Sequence, residues 1–353
     1  MSELSFVASP DDGKAILEVL ESSAAKGKIE LLYTRRPDAY ASYMKEPGEA
    51  KVFVSRADGR VVGTCAELIR DAYIGGERRK TCYICGLKKD ASHSGLSGLG
   101  LGFIRELKQE GADLYYCSVV SENAQARRIF DRIDRVLTMK PFAEYRTFII
   151  SPKVRLKAPV SGLVFRGATE EDLPALLNFL NSEGRKKDLF PAIDSLDGFT
   201  GLKIDDFRLL TDESGIAAAG ALWDQSGYKQ YVVKRYSAPM KAVRVFNPLL
   251  SALGYVKLPK ENVPLSFPML SFMLSRDDSE EIYRVFLANM IREAGKKYGM
   301  LVAGLPTNHF AFPIYDKLKS ISFGTTLYSV AFPGKTEDNG FSSRTLQPEC
   351  ALL

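Results

Sequence analysis

Apolar and polar positions along the chain switch between a helical and a strand period, and the same succession occurs twice. The runs AILEVLE (15–21) and LPALLNFL (173–180) hold apolar residues at helical spacing. Ahead of them, Ser9 precedes Asp12 and Thr169 precedes Asp172 by three residues. A cap oxygen satisfies amides that a helix start leaves orphaned, and an acid suits the positive helix end, so each pair predicts a helix start. Two hairpin patterns follow, VFVSRADGRVVGTC (52–65) and RLLTDESGIAAAGAL (208–222). Then come strand-like TCYICGL (81–87) and FPMLSFML (267–274), and after them LYYCSVV (114–120) and MLVAGL (300–305). Each copy closes on a β-rich segment, YRTFII (145–150) or TTLYSVAF (325–332).

The sharpest internal match is NAQARRIFDR (123–132) against NHFAFPIYDK (308–317), where Asn, Ala, Ile, an aromatic, Asp and a basic residue recur in order. The offset is 157 at Gly63 and Gly220 but 185 at Asn123 and Asn308, so the second copy carries an insertion. The Lys/Arg-rich stretch 229–260 is its expected place. Mixed strands and helices in this order predict an α/β (α+β mixed sheet) domain, twice in tandem. The expected division is a first domain at 1–150, a Pro-, Ser- and Lys-rich linker at 151–162, a second domain at 163–332, and a loosely held tail at 333–353.

Length agrees with this division, since 353 residues at ~100–200 per domain favour two domains. With 45% hydrophobic and 26% charged residues, collagen-like and mostly disordered chains are excluded. No run approaches the ~18 apolar residues of a membrane span, and the acidic start MSELSFVASPDDGK is unlike a secretory signal. The expectation is a cytoplasmic chain with no transmembrane segment. The net charge of +5 suits small anionic ligands, and no nucleic-acid partner is expected. Cys65, Cys82, Cys85, Cys117 and Cys350 are scattered and odd in number, as for reduced thiols. Cys82 and Cys85, three apart on a strand, point to opposite faces; with only His93 and His309 beside them, no metal is expected.

The segment KKDASHSGLSGLGLGFIRELKQEG (88–111) predicts a helix from near Gly95, with Gly95, Gly98, Gly100 and Gly102 in its first turns. Such glycines either let backbone amides cradle a phosphate or allow tight helix–sheet packing. Together with the repeat, these residues resemble the GNAT (N-acetyltransferase) superfamily, two domains in tandem. The marks are the Asn-x-x-Ala patterns at 123–132 and 308–317, and the slot Ser92-His93-Ser94-Gly95-Leu96-Ser97, five residues after Leu87. Serine or glycine stands where the family's loop carries arginine.

The resemblance implies a sheet that splays between its fourth and fifth strands, with CoA inserted there. It implies that Gly86 and Leu87 pair their backbone with pantetheine, and that amides of Ser92, His93, Ser94, Gly95, Leu96 and Ser97 hold the pyrophosphate. Asn123 joins that cofactor-binding set. The aromatic that can protonate a departing thiolate is Phe130 in the first copy, which has no proton to give, and Tyr315 in the second. After the second copy's strand come Asp277, Asp278, Glu280 and Glu281, which repel phosphate and suit a helix cap instead. CoA binding is therefore expected in the first half, with the second half shaping the acceptor side.

The implied function is acyl transfer from acetyl-CoA or another acyl-CoA to a small amine-bearing substrate by direct attack. The competing class is a non-catalytic ligand-binding or scaffold protein on two decayed copies. Glu67 either faces an acceptor amine or is a solvated strand residue; Trp223 either stacks on substrate or packs in a core. The insertion, with Lys229, Lys234, Arg235, Lys241, Arg244, Lys257 and Lys260 and no acid, is a solvated cover, a lip for an acidic substrate, or a membrane-surface contact.

Overall fold

The structure is a computed structural model that describes residues 6–25, 27–93, 101–121, 123, 137–158, 162–332, 340–341 and 344–353. The first half supplies strands β1 (Phe6–Val7), β2 (Ile29–Thr34), β3 (Glu49–Ala57), β4 (Arg60–Ile74), β5 (Glu77–Lys89), β6 (Leu114–Val120) and β7 (Thr138–Ile150). The second supplies β8 (Val164–Gly167), β9 (Lys187–Asp188), β10 (Phe207–Asp212), β11 (Gly215–Trp223), β12 (Gln230–Tyr236), β13 (Met269–Ser275), β14 (Leu301–Pro306), β15 (Ser320–Ala331) and β16 (Thr345–Leu346).

Twelve of these form one mixed sheet in the order β1-β3-β4-β5-β6-β15-β7-β14-β13-β11-β10-β8. Read from either end, the order is the same succession of repeat elements. The two halves are thus related by a pseudo-twofold between β15 and β7. The two copies do not close separate sheets: their last strands are exchanged. β15 pairs with β6, from Thr325↔Val120 to Ser329↔Tyr116, and β7 pairs with β14, from Leu301↔Ile150 to Pro306↔Tyr145. The exchanged strands also pair with each other, from Ser320↔Ile150 to Ala331↔Thr138.

Helices cover both faces. In the first half, Gly13–Glu21 and Ala39–Tyr43 pack on one face, and Leu101–Glu110 on the other. In the second, Leu173–Gly184 and Glu280–Ala294 take the corresponding places. The paired helix starts are built alike: the amides of Ser9 and Thr169 each donate to the carboxylate three residues on, Asp12 and Asp172, at 2.9 Å. Arg56 and Arg166 pair with those same carboxylates.

Two expectations change. The insertion opens with β12, which pairs antiparallel with β2 of the first half, from Gln230↔Thr34 to Tyr236↔Ile29. The described part of the tail is not loosely held: β16 pairs parallel with β9, and Cys350–Leu352 form a buried turn. Trp223 is a core residue, fully buried with its Nε1 donating to Thr200 O at 3.0 Å. No helix among the described residues is long and apolar enough to cross a membrane.

Candidate functional site

The two halves each contain a place where parallel strands part. In the first, β5 and β6 pair from Thr81↔Leu114 to Ile84↔Cys117 and then separate, β5 following β4 to Lys89 and β6 following β15 to Val120. A β-bulge turns β5 away: Cys85 opposes Ala66 and Lys88 opposes Thr64, so Gly86 and Leu87 together face Cys65. Gly86 has φ +63°, a conformation glycine adopts freely. Tyr43 Oη rests against it, because a Cβ at Gly86 would lie 2.1 Å from that oxygen. Beyond Ile84 no strand among the described residues pairs with β5 on its β6 side, and Leu87 is 56% exposed. Among the described residues the result is a split with the β5 backbone along one side.

In the second half, β13 and β14 pair only at Met269↔Val302. The same bulge recurs: Ser271 opposes Ala221 and Leu274 opposes Ala219, so Phe272 and Met273 face Gly220. Phe272 therefore occupies the position of Gly86, and it keeps a positive φ of +55° although it bears a ring. What holds it is the tail. The Phe272 amide donates to Glu349 Oε2 at 2.6 Å, and Gln347 Nε2 donates to Met273 O at 2.8 Å. Its ring stacks between those of Phe207 and Trp223. Cys350 packs against Gly304 of β14, where a Cβ would come within 2.6 Å of its sulfur. The second split is thus filled by residues 347–352, and every residue of β13 is buried. Burial pushes the Glu349 carboxyl up to about 7, although the Phe272 and Ala351 amides favour its charged form.

Between the open split and the tail lies a buried ionic group. Arg35 Nη2 and Lys229 Nζ lie 2.5 and 3.0 Å from the same Glu46 oxygen. Burial alone would raise Glu46, but the Lys229 and Arg35 charges outweigh it and hold the carboxyl below its ordinary value. The Arg35 guanidinium lies 3.8 Å above the Tyr43 ring, which links this group to the bulge. Lys229 Nζ and Gln225 Nε2 donate to Ala351 O at 3.0 and 3.1 Å, and Arg70 Nη2 donates to Leu352 O at 2.9 Å. Tyr43 Oη, Glu46 Oε2, Arg35 Nε, Arg70 Nη1 and Gln225 Oε1 are buried and have no hydrogen-bond partner among the described residues. Buried polar atoms are normally paired, so water or a polar ligand would meet these five.

Of the residues expected to bind the cofactor, Gly86 and Leu87 form the bulge at the split. The Ser92 amide and hydroxyl both donate to Asp90 Oδ1 at 2.9 Å, so this amide faces a carboxylate and not the loop's interior. The His93 amide donates to Asp90 O at 3.2 Å. Asn123 is exposed, its amide on Val120 O at 2.8 Å, three residues past the strand that borders the split. Ser94, Gly95, Leu96, Ser97 and Phe130 lie outside the described residues.

Tyr315 is enclosed in the second half's core, with its Oη 3.0 Å from Tyr283 Oη and its ring on Phe148. Burial raises its hydroxyl well above the ordinary value. Glu67 is not a solvated strand residue: it is fully buried with both carboxylate oxygens unpaired. Burial, reinforced by Glu110 and opposed by Lys51, pushes it up to about 7. The acids after β13 are paired, Asp277 with Lys186 at 2.8 Å and Asp278 with Lys187, and Ser279 caps the helix Glu280–Ala294. Among the described residues, no three His, Cys, Asp or Glu side chains gather as a metal site would need. Arg35, Tyr43, Glu46 and Glu349 were not singled out from the sequence. Only Glu349 carried a signal, an acid leading into the apolar run CALL (350–353).

A palindromic sheet with a bulged split in each half is the tandem GNAT fold. No family model matches the sequence, and no curated protein matches it in sequence. Solved structures match it in fold. One is an Enterococcus faecalis protein of unknown function described as a probable N-acyltransferase, with TM-score 0.50 and 8% identity over 93% of this chain and 72% of that one. Saccharomyces cerevisiae N-myristoyltransferase with bound myristoyl-CoA superposes with TM-score 0.56 and 10% identity, over 96% of this chain and 87% of that one. The same yeast enzyme with myristoyl-CoA and inhibitors gives 0.58 and 10%, over 98% and 86%. At these identities the likeness is one of fold.

Proposed function

We propose that this chain is a CoA-dependent N-acyltransferase that takes its acyl-CoA in the split between β5 and β6. The observation that supports the proposal is the contrast between equivalent bulges: at one, Leu87 is exposed and no described strand pairs beyond Ile84, while the other is filled by Gln347 and Glu349. In this assignment the domain at 1–150 binds the donor, and the domain at 163–332 shapes the acceptor side. Pantetheine adds to the β5 edge as a strand would, with its amides on the Gly86 and Leu87 backbone. The amides of residues 94–97 receive the pyrophosphate, with Asn123 in the same cofactor-binding set. The acceptor amine attacks the thioester carbonyl carbon; a C–N bond forms, the C–S bond breaks, and the departing CoA thiolate takes up the proton that the amine nitrogen sheds. Positioning and carbonyl polarisation by backbone amides do most of the work, because a thiol of pKa ~8.5 leaves with little help. Tyr315, enclosed beside Tyr283, lies outside this sequence of steps.

Acetyl-CoA is the donor of first choice, and the myristoyl-CoA of the yeast structure makes a long acyl chain the second. Among the described residues of this group, the buried Arg35 and Lys229 and the half-buried Arg70 outnumber Glu46, so an amine carrying an anionic group suits the acceptor side. One observation favours a non-catalytic binding protein instead: Asp90 already holds the Ser92 amide. The test is thermal unfolding with CoA, acetyl-CoA and myristoyl-CoA, followed by thiol release across an amine panel. Ligand at 100 times Kd should add about 2.7 kcal/mol of stability. A melting temperature unmoved by all three removes the proposal; binding without thiol release selects the non-catalytic reading.

A further inference from the structure

The insertion's two helices, Ala238–Val245 and Asn247–Ala252, turn apolar side chains toward solvent. Val245, Phe246, Leu249 and Leu253 are 76%, 60%, 61% and 54% exposed, and Val243 and Tyr255 are exposed beside them in the same segment. A helix on a globular surface normally buries its apolar stripe. Here the outward apolar face is held in place: Asn247 exchanges hydrogen bonds with Leu258 at 3.0 and 3.1 Å, and Leu258 is buried with Val233 and Tyr236. Patches of this kind mark interaction sites.

Charge says what the partner is. Lys241, Lys257 and Lys260 are exposed around the patch, and Arg244 lies 5.4 Å from the Tyr236 ring. Two further cations close on it from elsewhere in the chain. Lys153 Nζ is 3.2 Å from Ser251 Oγ, and Lys319 Nζ is 3.0 Å from Leu253 O and 5.2 Å from the Tyr255 ring. No acid occurs from 230 to 260, and the next one, Glu261, is turned onto the Tyr236 amide at 3.2 Å. A second copy would bring cations against cations, which disfavours self-association. An apolar face rimmed by Lys and Arg has the chemistry of an element that lies in the headgroup region of an anionic bilayer.

We propose that these two helices dock the protein on an anionic lipid surface, burying Phe246 and Leu249 among the acyl chains with Lys241, Arg244, Lys257 and Lys260 at the phosphates. The proposal is independent of the acyltransferase assignment. The test is co-sedimentation of the full chain with phosphatidylcholine vesicles, with and without phosphatidylserine. Phosphatidylserine should strengthen binding at least tenfold, since each cation near such a surface contributes roughly fivefold. Phe246→Ser with Leu249→Ser should weaken it roughly tenfold or more at an unchanged melting temperature. Lys241→Glu with Lys257→Glu should abolish the preference for phosphatidylserine. No binding to either vesicle, equal binding to both, or binding indifferent to the serine pair overturns the proposal. So does a concentration-dependent dimer that the serine pair dissolves without any vesicle binding.

Discussion

Replacing Gly86 by alanine asks whether the open bulge is built around a missing side chain. Two costs add. At φ +63° an L-residue pays for left-handed backbone, about 1 kcal/mol. The new Cβ would also lie 2.1 Å from Tyr43 Oη and 3.2 Å from its Cζ. That ring is fully buried beneath the Arg35 guanidinium, so it cannot swing aside, and overpacking of this kind costs about 1–3 kcal/mol. Gly86→Ala should therefore lose about 2–4 kcal/mol in urea unfolding. Tyr43→Phe removes the colliding oxygen, and because that hydroxyl has no partner its loss should change stability by under about 1 kcal/mol. The double variant should recover the overpacking and keep only the backbone cost, a coupling of about 1–3 kcal/mol between the two sites. Strict additivity, or a Gly86→Ala variant as stable as the parent, would refute the wedge between Tyr43 and the bulge.

Three further outcomes follow from buried or capping carboxylates. Glu67, raised from 4.5 to about 7, keeps a proton in the folded state that the unfolded chain releases, so its stability is present below pH 4.5 and lost as pH rises through 7. Glu67→Gln should remove about 3 kcal/mol of that decline between pH 4.5 and 8 in urea titrations, and an unchanged profile would contradict the assignment. Glu349→Ala strands the Phe272 amide in a buried split and should cost about 2–4 kcal/mol, with faster hydrogen exchange at Phe272 as its signature. Asp12→Ala and Asp172→Ala should each lose about 1 kcal/mol of cap; both carboxyls are lowered, so the two losses should fade together as pH falls below 3.8.

The features legible in the sequence are those fixed by local chemistry. Ser9 with Asp12 and Thr169 with Asp172 announce helix starts because a cap needs only neighbouring residues. The Asn123 and Asn308 segments reveal the repeat, whereas the bulge at Gly86 is not read from the sequence. The strand exchange is not legible, because YRTFII and TTLYSVAF carry equivalent patterns and either could complete either half. Which edge each joins depends on where the partner half sits. Glu67 reads as a solvated strand acid because nothing local reports the helix Leu101–Glu110 on its face. The tail's fate depends on a bulge more than 70 residues away at Phe272, which its polar, Pro-bearing sequence does not anticipate.

The exchange of β7 and β15 sets an order on assembly. When residues 1–150 have left the ribosome, β6 still has one bare edge, because its neighbour lies at 320–331. β7 likewise has no partner until 301–306 and 320–331 arrive. The first half therefore waits, with strand edges exposed, through the synthesis of most of the second. Long-range pairing of this kind closes slowly and leaves sticky intermediates. The chain is two folds by pattern but one by closure.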